Sequence, residues 1–95
     1  MDRQIQKLKK LIDENLYKSK AEVFKKFGKP HQRSDDEIWF YRKFSFSVFN
    51  DEISIIFEED IVVDICLTRF FLWIEVKNVY YFDGPDPKFK VVDYF

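Results

Sequence analysis

Apolar residues in the first third of the chain recur at helical spacing. Ile5, Leu8, Ile12 and Leu16 follow intervals of three and four, Leu11 lies beside them, and charged residues fill the positions between. An amphipathic helix over residues 2–15 accounts for this pattern, because its pitch gathers those positions into one stripe. Residues 15–18 break it. Ser19 then stands three positions before Glu22, the spacing of a capping box in which each side chain accepts from the other residue's backbone N–H. Val23, Phe24 and Phe27 share one face of a second helix over residues 20–27. Gly28 suits its C-terminal cap, and Pro30 prevents it from resuming.

From Glu37 onward the period changes to two. Ile38 to Tyr41 reads as a first strand, and Phe44, Phe46 and Val48 alternate with Ser45 and Ser47 as a second. Asn50-Asp51-Glu52 reads as a turn. Ile53, Ile55 and Phe57 alternate again, and Glu58-Glu59-Asp60 reverses the chain. Ile61, Val63, Ile65 and Leu67 continue the alternation, and Phe70 to Lys77 is a further strand, with Tyr80 to Phe82 resuming it after Asn78. Asp83 to Pro87 has the composition of a loop, and Lys88 to Val92 that of an edge strand. Two short helices that each bury one stripe require a sheet to cover. The expected fold is α+β: two N-terminal helices on one face of an antiparallel meander of four to five strands. A single domain spans 1–95, with a helical pair over 1–30, the sheet over 37–82 and a C-terminal segment over 83–95.

Composition agrees with one domain. A chain of 95 residues supports one core, and 46% hydrophobic residues with 12 Phe can fill it. Nineteen aromatics exceed what a core of this size needs. No apolar run approaches the roughly 18 residues of a membrane span, and residues 1–12 lack the apolar core of a signal peptide, so a cytoplasmic protein is expected. The single cysteine, Cys66, fits a reducing compartment. Charge is unevenly spread. Residues 1–33 carry ten Lys and Arg against four Asp and Glu, whereas residues 34–95 carry six against thirteen. A basic helical end and an acidic strand-rich end can steer a charged partner.

Candidate chemistry is sparse. His31 is the only histidine and follows Pro30 in a polar loop. Cys66 alternates with apolar strand residues, and no neighbouring base is visible to activate its thiol. The carboxylates Glu58, Glu59, Asp60 and Asp64, with Asp51 and Glu52, match no calcium loop, which needs alternating ligands and a central glycine. The two glycines lie far apart and form no phosphate loop. Lys7, Lys9, Lys10 and the lysines from 18 to 29 form a basic helical region, but a pI near 5.8 and strands without an RNP pattern argue against nucleic-acid binding. No catalytic residue, cofactor or metal is expected.

Ser19-Lys20-Ala21-Glu22-Val23, Phe27-Gly28-Lys29-Pro30, Trp39, Tyr41 and the hairpin from Ile53 to Ile65 resemble the small outer-membrane assembly lipoproteins of the SmpA/OmlA type. That family shares a two-helix, three-strand fold with the repeats of β-lactamase inhibitor proteins. The resemblance covers about half the chain, mostly through capping and packing residues, and implies a protein that binds other proteins. The family's leader and lipid-bearing cysteine have no counterpart in this sequence. Trp39-Phe40-Tyr41 followed by alternating strands also resembles bacterial toxin-immunity proteins.

These features point to a small non-enzymatic binding protein that acts sterically. Trp73, Tyr80 and Tyr81 are its expected anchors, because Trp and Tyr are enriched at interface hot spots. Glu58, Glu59, Asp60 and Asp64 are expected to supply charge complementarity to a basic partner. The leading expectation is an immunity or inhibitor protein against a larger, toxin-like bacterial protein. The alternative is a scaffold or envelope-assembly domain, or a homodimer formed through the aromatic face.

Overall fold

The computed structural model describes residues 3–44, 49–72, 74–82 and 87–93. Helices α1 (Arg3–Asn15) and α2 (Lys20–Phe27) precede strands β1 (Ile38–Phe44), β2 (Phe49–Glu58), β3 (Ile61–Phe71), β4 (Ile74–Phe82) and β5 (Lys88–Asp93). The strands form one sheet in the order β1-β2-β3-β4-β5, each antiparallel to its neighbour. This is the expected α+β meander with both helices at the N-terminus. Among the described residues no helix is long and apolar enough to cross a membrane.

Alternation sorts the strand residues onto two faces, and the helices cover one. A bulge that leaves Val63 without a partner on β2 shifts the start of β3 by one residue, so that Val62, and not Ile61 or Val63 as the alternation predicts, joins Ile65 and Leu67 in the core. Leu8 and Ile12 of α1 and Val23 of α2 meet Ile53, Ile55 and Phe57 of β2, Val62, Ile65 and Leu67 of β3, and Val79 of β4. Each fully buried Leu, Ile or Val contributes about 1.5–3 kcal/mol of transfer free energy. Trp39, Tyr41, Tyr81, Phe89 and Val91 extend this layer towards both edges. Neither helix covers the alternate positions, which include Phe40, Ser54, Ile56, Cys66 and Tyr80.

Local chemistry fixes the helix ends. The Ser19 hydroxyl accepts from the Glu22 N–H, while the Glu22 carboxylate accepts from the Ser19 N–H. The Gly28 N–H donates to Phe24 O at 2.8 Å, and its φ of 83° explains why glycine stands there. The interhelix link is sewn to β3: Tyr17 N–H donates to Val62 O and Val62 N–H to Lys18 O, both at 2.8 Å. On the far edge, residues 31–35 close β1. His31 N–H donates to Phe40 O, Asp35 N–H to Ile38 O, and the Ser34 hydroxyl accepts from Phe40 N–H. From Ile38 to Phe40 the edge so occupied is no template for a further strand.

Several expectations need correction. Asn50-Asp51-Glu52 is not a turn but part of β2, and all three residues are buried. Their composition disfavours a strand, yet remote cations neutralise both carboxylates. Asp51 accepts from Lys7 and Arg69, and Glu52 from Arg33 and Arg42. Phe70 and Phe71 end β3 rather than open a new strand, and the reversal falls at Leu72, whose φ is 50°. Asn78 does not interrupt β4. It is buried there, and its side chain accepts from the Thr68 hydroxyl and donates to Glu75. Phe24 does not share the buried face of Val23, being 52% exposed. The expected strand from Phe44 to Val48 lies largely outside the described residues, as does most of the expected loop from Asp83 to Pro87.

Candidate functional site

The β2–β3 turn, the segment entering β1 and the start of α2 converge at one end of the molecule. Glu58 pairs with Ile61, leaving Glu59 and Asp60 as a two-residue loop with φ values of 51° and 65°. Positive φ at both central positions is the type I′ arrangement whose twist matches a hairpin. Asn-Gly adopts it with little strain, whereas Glu and Asp adopt it at a cost. Nearby, the Asp35 carboxylate accepts from the backbone N–H groups of Glu37 and Ile38, both at 2.8 Å. Those two bonds, Ile38 foremost, hold the Asp35 carboxyl below its ordinary range.

Between these segments lies an open cleft of about 620 Å³. Asp36, Glu37, Glu58, Glu59 and Asp60 line it together with Ile56, Phe57 and Val63, and Lys20 is its single cation among the described residues. Lys20 ties the parts together. Its Nζ donates to Asp36 O at 2.5 Å, pairs with Asp60 at 3.2 Å, and lies over the rings of Trp39 and Phe57. Its backbone N–H also donates to Asp60 O. Segments adjoining the cleft carry exposed apolar side chains: Tyr17 in the interhelix link, Phe24 in α2 and Ile61 next to Asp60. Phe24 packs edge-on to Trp39 at 6.4 Å, and Ile61 is bridged to Ser19. An acidic cleft with exposed apolar side chains on the adjoining segments suits a basic side chain from a partner, with apolar anchoring nearby.

The residues expected from sequence do not form one patch. Glu58, Glu59 and Asp60 are exposed at this end. Asp64 follows on the uncovered sheet face, where burial raises its carboxyl above the ordinary value against one backbone hydrogen bond from Ile65. Tyr80 also belongs to the uncovered face, whereas Tyr81 points to the helix side and meets Phe89 at 5.1 Å. Alternation separates two consecutive strand residues in this way. Trp73 lies outside the described residues. Its neighbours Leu72 and Ile74 are exposed at the opposite end of β3 from the acidic turn. Tyr17, Phe24, Ile61, Asp36 and Glu37 were not singled out by sequence. Tyr17 and Ile61 gain meaning only from the link that pairs Tyr17 with Val62, a contact between distant segments.

Cys66 and His31 lie apart from the acidic cleft's lining. Burial pushes the Cys66 thiol up to about 11, with the hydrogen bond to Thr68 opposing it. At neutral pH it therefore holds little thiolate, the form a nucleophile requires. His31 uses Nδ1 to accept from the Arg33 N–H at 3.1 Å, bracing the segment that closes β1. Among the described residues no three His, Cys, Asp or Glu side chains converge to hold a metal ion. Comparison with protein-family models, with curated proteins and with solved structures gives no match.

Proposed function

We propose that this chain is a small non-enzymatic binding protein, of the immunity or inhibitor kind, that docks its acidic end on a basic surface of a larger protein. The observation that carries this reading is the cleft lined by five acidic residues, of whose carboxylates Asp60 is paired with Lys20. The mechanism is steric and electrostatic. A Lys or Arg of the partner enters the cleft, exposed Tyr17, Phe24 and Ile61 pack around it, and the body of the domain blocks access to the partner's site. The strained turn supports the same reading, because Glu59 and Asp60 occupy a conformation that other residues adopt more readily.

The test is a pull-down from the native host with tagged wild type beside a Glu58→Lys/Glu59→Lys/Asp60→Lys variant. A basic protein recovered in stoichiometric amount by wild type, lost in the variant and inhibited by wild type is the expected result. Recovery of envelope proteins, or of the chain alone as a dimer, overturns the inhibitor reading in favour of a scaffold.

A further inference from the structure

The helix layer closes unevenly over the sheet. Helix α1 packs on β3 and β4, whereas α2 reaches β1 through Phe27, whose ring lies 5.4 Å from that of Tyr41. A second cleft of about 450 Å³ remains between the two helices. Leu11, Phe27, Tyr41 and Ile53 form its floor, with Tyr41 and Ile53 directly opposed across β1 and β2. The Tyr41 hydroxyl is turned away from solvent chemistry, donating to Gly28 O at 2.9 Å. Lys7, Lys10, Lys26 and Arg42 stand around this floor, with Glu14 as the one carboxylate among the described residues.

The three lysines are not equivalent. Lys7 is committed to buried Asp51. Lys26 reaches from α2 to Glu14 of α1 at 3.0 Å, an ion pair in which both side chains are nearly half exposed. Lys10 makes no ion pair among the described residues, and its charge acts on Glu14 only through space.

We propose that this cleft binds an anionic amphiphile, a small molecule with one carboxylate-like head on an apolar chain or ring. The head sits between Lys10 and Lys26, and the apolar body lies on Leu11, Phe27, Tyr41 and Ile53. The volume is that of a small-molecule site, and its lining sets four apolar or aromatic residues, Leu11, Phe27, Tyr41 and Ile53, among convergent positive charges. Binding exchanges the partner of Lys26. The incoming head replaces Glu14, whose carboxylate swings into water, and exchange of an exposed ion pair costs little. The head also gives Lys10 a partner. A cation of the same shape meets three lysines and Arg42, and a neutral alcohol recovers only the burial of its chain.

The experiment is an amide-resolved NMR titration of the full chain with sodium decanoate below its micellar concentration, in low-salt buffer. Saturable shifts should cluster at Lys10, Leu11, Phe27, Tyr41 and Ile53. Decanol should bind about tenfold more weakly, and Lys10→Glu and Lys26→Glu should each weaken decanoate by a similar factor. Glu14→Gln should tighten it severalfold. These side chains are exposed, and an unchanged spectrum away from the cleft verifies that each variant folds. Shifts spread over the uncovered sheet face overturn the proposal. So does equal binding of decyltrimethylammonium, or saturable binding of a Glu-rich peptide where decanoate has none.

Discussion

Asp51 shows how much one residue can organise. It is fully buried and accepts from Gln4 at 3.3 Å, from Arg69 at 3.0 Å and from Lys7. Burial works to raise its carboxyl, but the hydrogen bonds and charges of Lys7 and Arg69 outweigh it, and the net position lies below the ordinary 3.8. A depressed carboxyl gives stability that is present above the unfolded value and lost as pH falls through the folded one. Asp51→Asn should therefore destabilise the fold by about 3 kcal/mol at neutral pH, because two cations lose their buried counter-charge. The variant should also lose less stability than wild type between neutral pH and pH about 3. Urea unfolding at both pH values measures this, and an acid limb as steep as that of wild type contradicts it. The role of Asp51 was half legible in the sequence. It shares parity with Ile53, Ile55 and Phe57, which assigns it to the helix-covered face. Its partners lie 44 and 18 residues away, so no local pattern announces that its charge is neutralised.

The β2–β3 turn carries the clearest conflict between element and residue. Backbone geometry at Glu59 and Asp60 is left-handed, and each non-glycine residue there stores on the order of 1 kcal/mol. Glu59→Asn with Asp60→Gly should raise stability by about 1 kcal/mol in thermal or urea unfolding while weakening capture of a basic partner. If the double variant is less stable than wild type, the Lys20 contacts to Asp60 outweigh the strain, and the turn is a structural clasp rather than a docking element. Element order was readable because caps and periodicity are local: Ser19 with Glu22 and Gly28 fix α2, and alternation marks the strands. The β3–β4 reversal was hidden for the opposite reason. Phe70-Phe71-Leu72-Trp73-Ile74 carries no Gly, Asn or Pro to mark a turn, although Leu72 takes a positive φ. Asn78 misled in the other direction, as a turn-forming type held inside a strand by Thr68 and Glu75.

Across the whole molecule, the sequence asymmetry becomes two clefts of opposite lining rather than a basic half and an acidic half. Lys20 of the basic N-terminal third is the cation inside the acidic cleft, while Glu14 is the acid inside the basic one. The clefts share no lining residue on a molecule 36 Å by 34 Å in its longer dimensions. Lys20 and Lys26 stand on the same helix, roughly 9 Å apart along its axis, and the screening length is roughly 8 Å at physiological salt, so the charges of one cleft act on the other far less there than at low salt. Association of a basic partner at the acidic end should slow about tenfold between low and physiological salt, as expected for electrostatic steering. Reversal of Glu58, Glu59 and Asp60 should remove most of that dependence, whereas Lys10→Glu should leave it almost unchanged at physiological salt. Stopped-flow or surface-based kinetics across a salt series separates the cases. A Lys10→Glu variant that alters the partner's on-rate at physiological salt as strongly as the turn reversal does would mean that net charge, rather than the placement of five carboxylates around one cleft, governs recognition.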